Sequence, residues 1–171
     1  MINRLRIYVV STKKNGVICS TACLATTDLS TERYVSVSSE TDINRSAIVA
    51  MGKAIQLVRD TSITTWIKVY SNTKIDTVKA PDLREKLAAA CNLFHVKMSG
   101  QEPLDDSMTA LRVHATNKEL VKGLVTLRKQ EIAEHAADEL HDAIEEQTAE
   151  VYAHTDAVPD DIMNCLDELP A

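Results

Sequence analysis

The chain has 171 residues, of which 44% are apolar and 26% are charged, so it is long enough for one core with appendages and short for two full domains. All 19 Lys and Arg residues lie in residues 1–129, against 12 acids, whereas residues 130–171 carry 13 acids and no Lys or Arg. The net charge of −6 therefore combines a basic body with an acidic C-terminal segment. A basic body favours contact with a polyanion, and an acidic segment favours competition for that surface or a separate partner.

The cysteines and the apolar runs indicate the compartment. Cys19, Cys23, Cys91 and Cys165 show no spacing typical of a metal site, and we expect neither a metal nor a cofactor. Two of them lie in an apolar run where buried, reduced thiols are expected, which predicts a cytoplasmic protein. No apolar run reaches the ~18 residues of a membrane span, and residues 1–14 lack a secretory cleavage pattern, so no membrane association is expected.

The first third of the chain predicts three strands. Residues 6–11 and 16–26 are rich in β-branched residues, and the sequence KNG at residues 14–16 is a tight-turn signal between them. A third strand is predicted over residues 32–38. Hairpin connections of this kind predict that these strands lie side by side in one sheet.

After the third strand, helical and extended patterns alternate. Apolar residues recur at helical spacing up to residue 59, and Asp42 offers the N-cap oxygen. The elements predicted next are a strand at 64–70, a helix from Pro81 to Cys91, a strand at 93–98 and a helix from Pro103 to about His114. This order predicts an α/β fold, in which helices flank a mixed five-stranded sheet.

The element order resembles that of type 1 ribonuclease H over residues 4–115. The resemblance rests on the Asn44-Arg45 pair that opens the first helix, the run AIVAMGKAI after it, the strand at 66–70 and the segment 103–111. It implies an RNase H-like fold with a C-terminal acidic helical extension. Members of that family cleave the RNA strand of RNA/DNA hybrids with four carboxylates that hold two metal ions.

The positions that match those four carboxylates hold no acid in this chain. They fall at Val10, Ala47, Ser71 and Thr109, and the residues on either side of each are also uncharged. We therefore expect a protein without catalytic residues, without a bound metal and without enzymatic activity. The alternative is a metal-dependent nuclease with relocated carboxylates, which would draw on Glu40, Asp42, Glu102, Asp105 and Asp106.

A surface that lacks those negative charges would attract phosphates. The sequence thus predicts an inactive RNase H-like protein that binds nucleic acid, either RNA or an RNA/DNA hybrid, through a basic face. The predicted contact residues lie at the ends of the first and fourth strands and at the start of the first helix: Lys13, Lys14, Asn44, Arg45, Asn72 and Lys74. The resemblance singles out Asn44, because it matches a family asparagine that contacts the hybrid. Trp66 is expected in the core rather than in a base-stacking surface.

The C-terminal third predicts helices beyond the domain. Residues 116–119 read TNKE, a capping-box pattern that starts a new helix, and apolar residues continue at helical spacing to about residue 152. Like charges four residues apart without Lys make the second half a poor isolated helix, so it needs a partner surface. That surface is the basic body, a second copy of the chain or another protein.

We therefore divide the chain into an RNase H-like domain at 1–115, a long acidic helix or helical hairpin at 116–152 and an acidic tail with a short amphipathic helix at 153–171. The tail is expected to modulate binding by competing for the basic face. The alternative function is a protein-interaction or scaffold module, possible as a dimer, whose contacts would come from Leu140, Ile144, Ile162, Met163 and Leu166. The pattern also resembles small phage or mobile-element proteins.

Overall fold

A computed structural model describes residues 2–28 and 31–145 of the chain. The elements, in chain order, are β1 (Ile2–Lys14), β2 (Val17–Thr26), β3 (Glu32–Val37), α1 (Ile43–Ile55), β4 (Thr64–Ser71), a 3-10 turn (Thr77–Lys79), α2 (Pro81–Leu93), β5 (Val96–Pro103) and α3 (Met108–Glu145). The strands form one mixed sheet in the order β3-β2-β1-β4-β5, in which β1 runs parallel to β4 and β4 runs parallel to β5. This confirms the predicted α/β fold with a five-stranded sheet.

The β1–β2 hairpin closes at the predicted tight turn. Asn15 and Gly16 have φ angles of 51° and 77°, so both adopt left-handed conformations. A two-residue turn with two positive φ angles matches the right-handed twist of the flanking strands. The turn pairs Lys14 with Val17 and places Lys13 and Lys14 at the tip of the hairpin.

The main core lies between the sheet and α1, on the side that we call the α1 face. Alternate residues of β1 and β4, including Ile7 and Val69, pack there against α1 residues such as Ala47 and Ile48. Asp42 accepts a hydrogen bond from the Arg45 backbone nitrogen at 2.8 Å, so it caps α1 as predicted. This packing fixes the start of α1 beside the end of β4.

The opposite side, the α3 face, is only partly covered. Helix α3 packs on β1, β2 and β3, where it buries Tyr8 and Val10 of β1 against its own Ala110 and Val113. Further along α3, Val121 and Val125 pack on the start of β2, so the helix runs from the middle of β1 towards the hairpin tip. Tyr70 of β4 is buried in the same cluster, but the rest of β4 and β5 lie outside the area that α3 covers.

Polar contacts set the start of α3 on the sheet. Thr109 Oγ1 and Arg112 Nη1 donate to the Glu32 carboxylate at 2.7 and 2.8 Å, and the Tyr34 hydroxyl donates to it at 2.7 Å. Burial alone would raise the pKa of Glu32, but these hydrogen bonds outweigh burial, and the pKa lies below its usual value. The carboxylate at the start of β3 thus anchors the first turn of the helix.

The helix break predicted at residues 114–116 is wrong, because α3 is continuous from Met108 to Glu145. The TNKE pattern does not start a new helix, since the Asn117 side chain is buried and bonded to the sheet. The domain core consequently extends along α3 to Val125, beyond the predicted boundary at residue 115. The rest of the predicted division, including the tail at 153–171, lies outside the described residues or stays a prediction.

Strand β5 also differs from its prediction. Residues 93–95 belong to the end of α2 and the turn after it, where His95 has a φ of 52°, so the strand begins at Val96 rather than at residue 93. It continues through polar residues to Pro103, with an irregular register opposite Ile67 and Lys68 of β4. Backbone pairing with β4 sustains this strand, and side-chain pattern alone did not indicate it.

Candidate nucleic-acid interface

The hairpin tip carries exposed lysines, as predicted. Lys13 and Lys14 are exposed, and within the described part of the chain neither forms an ion pair. Helix α3 passes the same tip, because the Nη1 atom of Arg128 lies 3.9 Å from the point that a Cβ atom on Gly16 would occupy. Cations from two separate elements therefore meet at this end of the sheet.

The two predicted asparagines hold the backbone in place. The Asn44 side chain donates to the Asp76 carbonyl and accepts from the Asp76 N–H, both at 2.8 Å. Asn72 makes the equivalent pair of bonds to the carbonyl and N–H of Ser11, both at 2.9 Å. Both side-chain amides are thus hydrogen-bonded to the backbone. Their role in nucleic-acid binding stays a prediction, and contact with a ligand through these amides would require breaking the backbone bonds.

Arg45 is paired with carboxylates. Its guanidinium donates two hydrogen bonds to Asp82, at 3.1 and 2.8 Å, and lies 3.4 Å from Glu40. The pairing lowers the pKa of Asp82 to about 2 and raises that of Arg45. The charge of Arg45 is largely compensated, which leaves Lys74 as the exposed predicted cation at the end of β4.

A second cationic surface was missed by the sequence reasoning. On the part of the α3 face that α3 leaves uncovered, β1, β4 and β5 present cations and aromatic rings, and we call this surface the open face: Arg4, Arg6, Trp66, Lys68, Tyr70 and Lys97. Trp66 is partly exposed and does not belong to the core. The available signal was the alternation of these side chains along the strands with Leu5, Ile7 and Ile67, which pack on the α1 face.

The chain was compared with protein families, curated proteins and solved structures. No family model matches the sequence, and no curated protein matches it. A ribonuclease H1 from the archaeon Halobacterium salinarum NRC-1 is 16% identical and covers 67% of this chain and 94% of its own, with a TM-score of 0.44. The N-terminal ribonuclease H domain of a Mycobacterium tuberculosis protein, solved as a fusion with maltose-binding protein, is 14% identical and covers 71% of this chain and 97% of its own, with a TM-score of 0.47.

A third similar structure, LC11 ribonuclease H1 in complex with an RNA/DNA hybrid, is 11% identical and covers 64% of this chain and 92% of its own, with a TM-score of 0.45. The chain has a ribonuclease H-like fold. At these identities and TM-scores the likeness concerns the fold alone, and it does not transfer the roles of individual residues.

The comparison corrects one expectation. The expectation that the chain is not an enzyme is wrong, because the proteins that share its ribonuclease H-like fold are ribonuclease H enzymes. The expectation rested on four sequence positions, which lie on β1, α1, β4 and α3. Ala47 packs on the α1 face, Val10 packs on the α3 face, and Thr109 bonds to Glu32 of β3, three strands from Ser71 of β4.

Four of the five acids that could have formed a relocated metal site contact other groups, and Asp42 among them caps α1. Glu40 lies against Arg45, Glu102 lies 2.8 Å from the Lys68 ammonium, and Asp105 accepts from the Tyr8 hydroxyl at 3.1 Å. Within residues 2–28 and 31–140, no three His, Cys, Asp or Glu side chains converge as metal ligands would.

The predicted partner-binding residues lie mostly beyond the described side chains. Leu140 is 63% exposed on α3, and Ile144 lies on the same helix, where its side chain is not described. Ile162, Met163 and Leu166 lie outside the described residues. In the described part of the chain, no helix combines the length and apolarity needed to cross a bilayer.

Proposed function

We propose that the chain binds nucleic acid, either RNA or an RNA/DNA hybrid, through cations at the hairpin tip. One observation carries the proposal: Lys13 and Lys14 of the hairpin and Arg128 of α3 lie at the same end of the sheet, without ion-pair partners among the described residues. Lys129 follows on the exposed side of the helix. Clustered, uncompensated cations attract the phosphate backbone largely irrespective of sequence.

The kind of nucleic acid is taken from the sequence resemblance alone. Phosphate contacts by lysine would serve single-stranded RNA and a hybrid alike, so the hairpin cluster does not select between them. Lys74, at the end of β4, extends the same surface, because Asn72 ties that end of β4 to Ser11 of β1. The roles proposed for Asn44, Arg45 and Asn72 in binding are secondary to those of the lysines.

The acidic C-terminal segment is proposed to modulate this binding. Its 13 acids begin at Glu131, only three residues after Arg128 meets the hairpin, so the segment starts close to the lysines. A tethered polyanion at that place competes with a phosphate backbone at high effective concentration. The competition weakens as salt screens both interactions.

The test is a binding titration of the full chain with a labelled RNA and with the matching RNA/DNA hybrid. Changing Lys13→Glu together with Lys14→Glu should weaken binding by about tenfold or more at ~0.1 M salt. The slope of log binding constant against log salt concentration should become less steep by about one unit per lost phosphate contact. Lys79→Glu with Lys86→Glu is the matched control, because both lysines are exposed, make the same charge change and lie outside the hairpin. Unchanged binding by the first variant, with its thermal unfolding intact, would show that the hairpin is the wrong surface.

A second candidate function is protein interaction through α3. The observation that favours it is the exposure of Ile132 and Leu140, which are 62% and 63% exposed on the part of the helix beyond the hairpin. Apolar side chains on a projecting helix suit an amphipathic groove or a second copy of the same helix. Loss of a copurifying protein or of a dimer after Ile132→Glu and Leu140→Glu would support this function. A cytoplasmic location is likewise a proposal.

A further inference from the structure

The open face is built from side chains that stand in register across three strands. Arg4 of β1 pairs with Trp66 of β4, which pairs with Lys97 of β5, and Arg6 pairs with Lys68 in the next row. Residues paired across adjacent strands project from the same side of a sheet. The rows therefore place cations on both sides of an aromatic ring.

These rows line a cleft of about 530 Å³. Arg4, Arg6, Trp66, Lys68, Tyr70 and Ser99 contribute to its walls. The volume falls in the range of about 300–1,000 Å³ that is typical of ligand sites. Gly100 stands opposite Lys68 without a side chain, and no atom lies within 4 Å of the point where its Cβ would be, so β5 leaves the cleft open on that side.

One ring in the cleft is available to a ligand. Tyr70 is 9% exposed and stacks on Tyr8, with ring centroids 5.1 Å apart and planes inclined by 17°, so it forms part of the floor. Trp66 is partly exposed, and the Lys97 ammonium lies 5.5 Å from its ring centroid. The flexible Lys97 stem can turn from the ring to a phosphate.

The charge of the open face is positive. Arg6 lies 3.6 Å from Asp105, and Lys68 lies 2.8 Å from Glu102, so those two cations are compensated. Arg4 and Lys97 form no ion pair with any carboxylate among the described residues. The two uncompensated cations flank Trp66 in the same row.

We propose that the open face binds single-stranded nucleic acid, with Trp66 stacking on a base and Arg4 and Lys97 contacting the flanking phosphates. A basic groove that contains an exposed aromatic ring is the arrangement by which proteins hold single strands without base specificity. A duplex keeps its bases stacked inside and offers none to a ring in a cleft. The inference rests on the proposed function, because it supplies a second contact surface for the same class of ligand.

The open face and the hairpin tip can be tested separately. Arg4 and Lys13 lie on one strand nine residues apart, which is about 30 Å at ~3.3 Å per residue. A substitution at one surface therefore leaves the other in place. Cleft residues and hairpin lysines can be changed independently in the full chain.

The decisive measurement uses the intrinsic fluorescence of Trp66, which is the single tryptophan of the chain. A ~10-nucleotide oligouridylate should quench this fluorescence in a saturable manner, because stacking brings the base against the ring. A duplex of the same length should quench it far less, and inorganic phosphate should not quench it. Anisotropy of a labelled oligouridylate gives the affinity independently of tryptophan.

Substitutions then assign the contacts. Trp66→Ala should weaken oligouridylate binding by about tenfold, whereas Trp66→Phe, which keeps a ring, should weaken it less. Arg4→Glu with Lys97→Glu should weaken binding and flatten its salt dependence. Lys79→Glu with Lys86→Glu again provides the control with an equal change of charge. Circular dichroism establishes that each variant is folded.

The outcomes separate the two proposals. Tight oligouridylate binding without quenching, and unchanged in Trp66→Ala, overturns the inference and leaves the proposed function standing. No binding of any nucleic acid overturns both. If the acidic C-terminal segment occupies the cleft instead, acrylamide will quench the Trp66 fluorescence only at high salt, and oligouridylate will not alter that fluorescence. That result also overturns the inference.

Discussion

Asn117 of α3 accepts a hydrogen bond from the Thr21 hydroxyl of β2 at 3.0 Å, and both side chains are fully buried. The same amide donates to Thr12 Oγ1 of β1 at 2.7 Å, and Thr21 Oγ1 lies 3.0 Å from the Ser36 hydroxyl of β3. One side chain thus links the helix to a chain of polar contacts across three strands. Buried polar groups that are mutually satisfied fix one arrangement of packed elements, since any shift leaves them unpaired.

The first prediction is that Asn117→Ala destabilises the fold by about 2–4 kcal/mol. The variant loses a buried hydrogen bond with Thr21 and a part-buried one with Thr12, so each threonine hydroxyl loses a partner. The free energy of unfolding in urea measures the loss. Asn117→Leu combined with Thr12→Val, Thr21→Val and Ser36→Ala should recover much of it, because the linked hydroxyls are then removed together with the amide. Equal loss in the single and combined variants would contradict the hydrogen-bond account.

The second prediction concerns acid. The hydrogen bond from Arg45 is the largest cause that lowers the pKa of Asp82 to about 2. Because the folded pKa lies below the unfolded value near ~3.9, the pair contributes stability above about pH 4, and this contribution is lost as the pH falls towards about 2. Arg45→Gln should return the pKa of Asp82 towards its usual value and make stability fall less steeply in that window.

Carboxyl NMR titration of Asp82 and urea unfolding across the window check this prediction. Arg84→Gln is the matched control, because Arg84 is an exposed arginine near the start of the same helix. If the titration midpoint of Asp82 stays low in Arg45→Gln, the lowered pKa has another cause, such as the helix N-terminus.

The third prediction is that the described cysteines differ in reactivity. Burial raises the pKa of Cys19 and Cys23 to about 12, and it also raises the pKa of the half-buried Cys91. Thiolate is the reactive form, so iodoacetamide at about pH 8 should modify Cys91 well before the other two. Peptide mass spectrometry resolves the sites, and unfolding in urea should equalise their rates. Rapid native modification of Cys23 would mean that the packing of β2 under α3 opens easily.

The fourth prediction tests the acidic segment. Deleting residues 130–171 should leave the fold intact, because Val125 is the last α3 residue in the described core clusters. Binding to nucleic acid should tighten at about 0.05 M salt, and the gain should shrink at about 0.3 M salt as screening weakens the competition. Titrations of the full-length and shortened chains at both salt concentrations measure the effect, with light scattering on each. Unchanged affinity together with loss of a dimer would instead make the segment an assembly element.

Much of the sheet could be predicted because its signals are local. The KNG turn, the β-branched runs and the Asp42 cap each act within a few residues, and all three are confirmed. The prediction placed the start of β5 three residues too early and divided α3 into two helices. Both errors arose because the limits of these elements depend on contacts with residues distant in sequence. Backbone pairing with β4 carries β5 through a polar stretch, and contacts of Asn117 with the sheet override a capping pattern.

The candidate interface was harder to predict from the sequence, because it also depends on contacts between residues distant in the chain. The positions of Lys13 and Lys14 follow from the turn, but the compensation of Arg45 comes from Asp82, 37 residues away. The alternation of Arg4, Arg6, Trp66 and Lys68 was visible in the sequence. The sequence did not show which strands α3 leaves uncovered, because that depends on how the helix crosses the sheet.

The irregular register of β5 also bears on how copies of this chain can associate. Both outer strands of the sheet are poor templates for pairing: β3 has six residues, and β5 combines an irregularity, Gly100 with a φ of 145° and a terminal Pro103. Short, kinked or proline-ended edges resist the continuous strand addition that leads to aggregates. Association of copies by strand pairing at either edge of the sheet is therefore disfavoured.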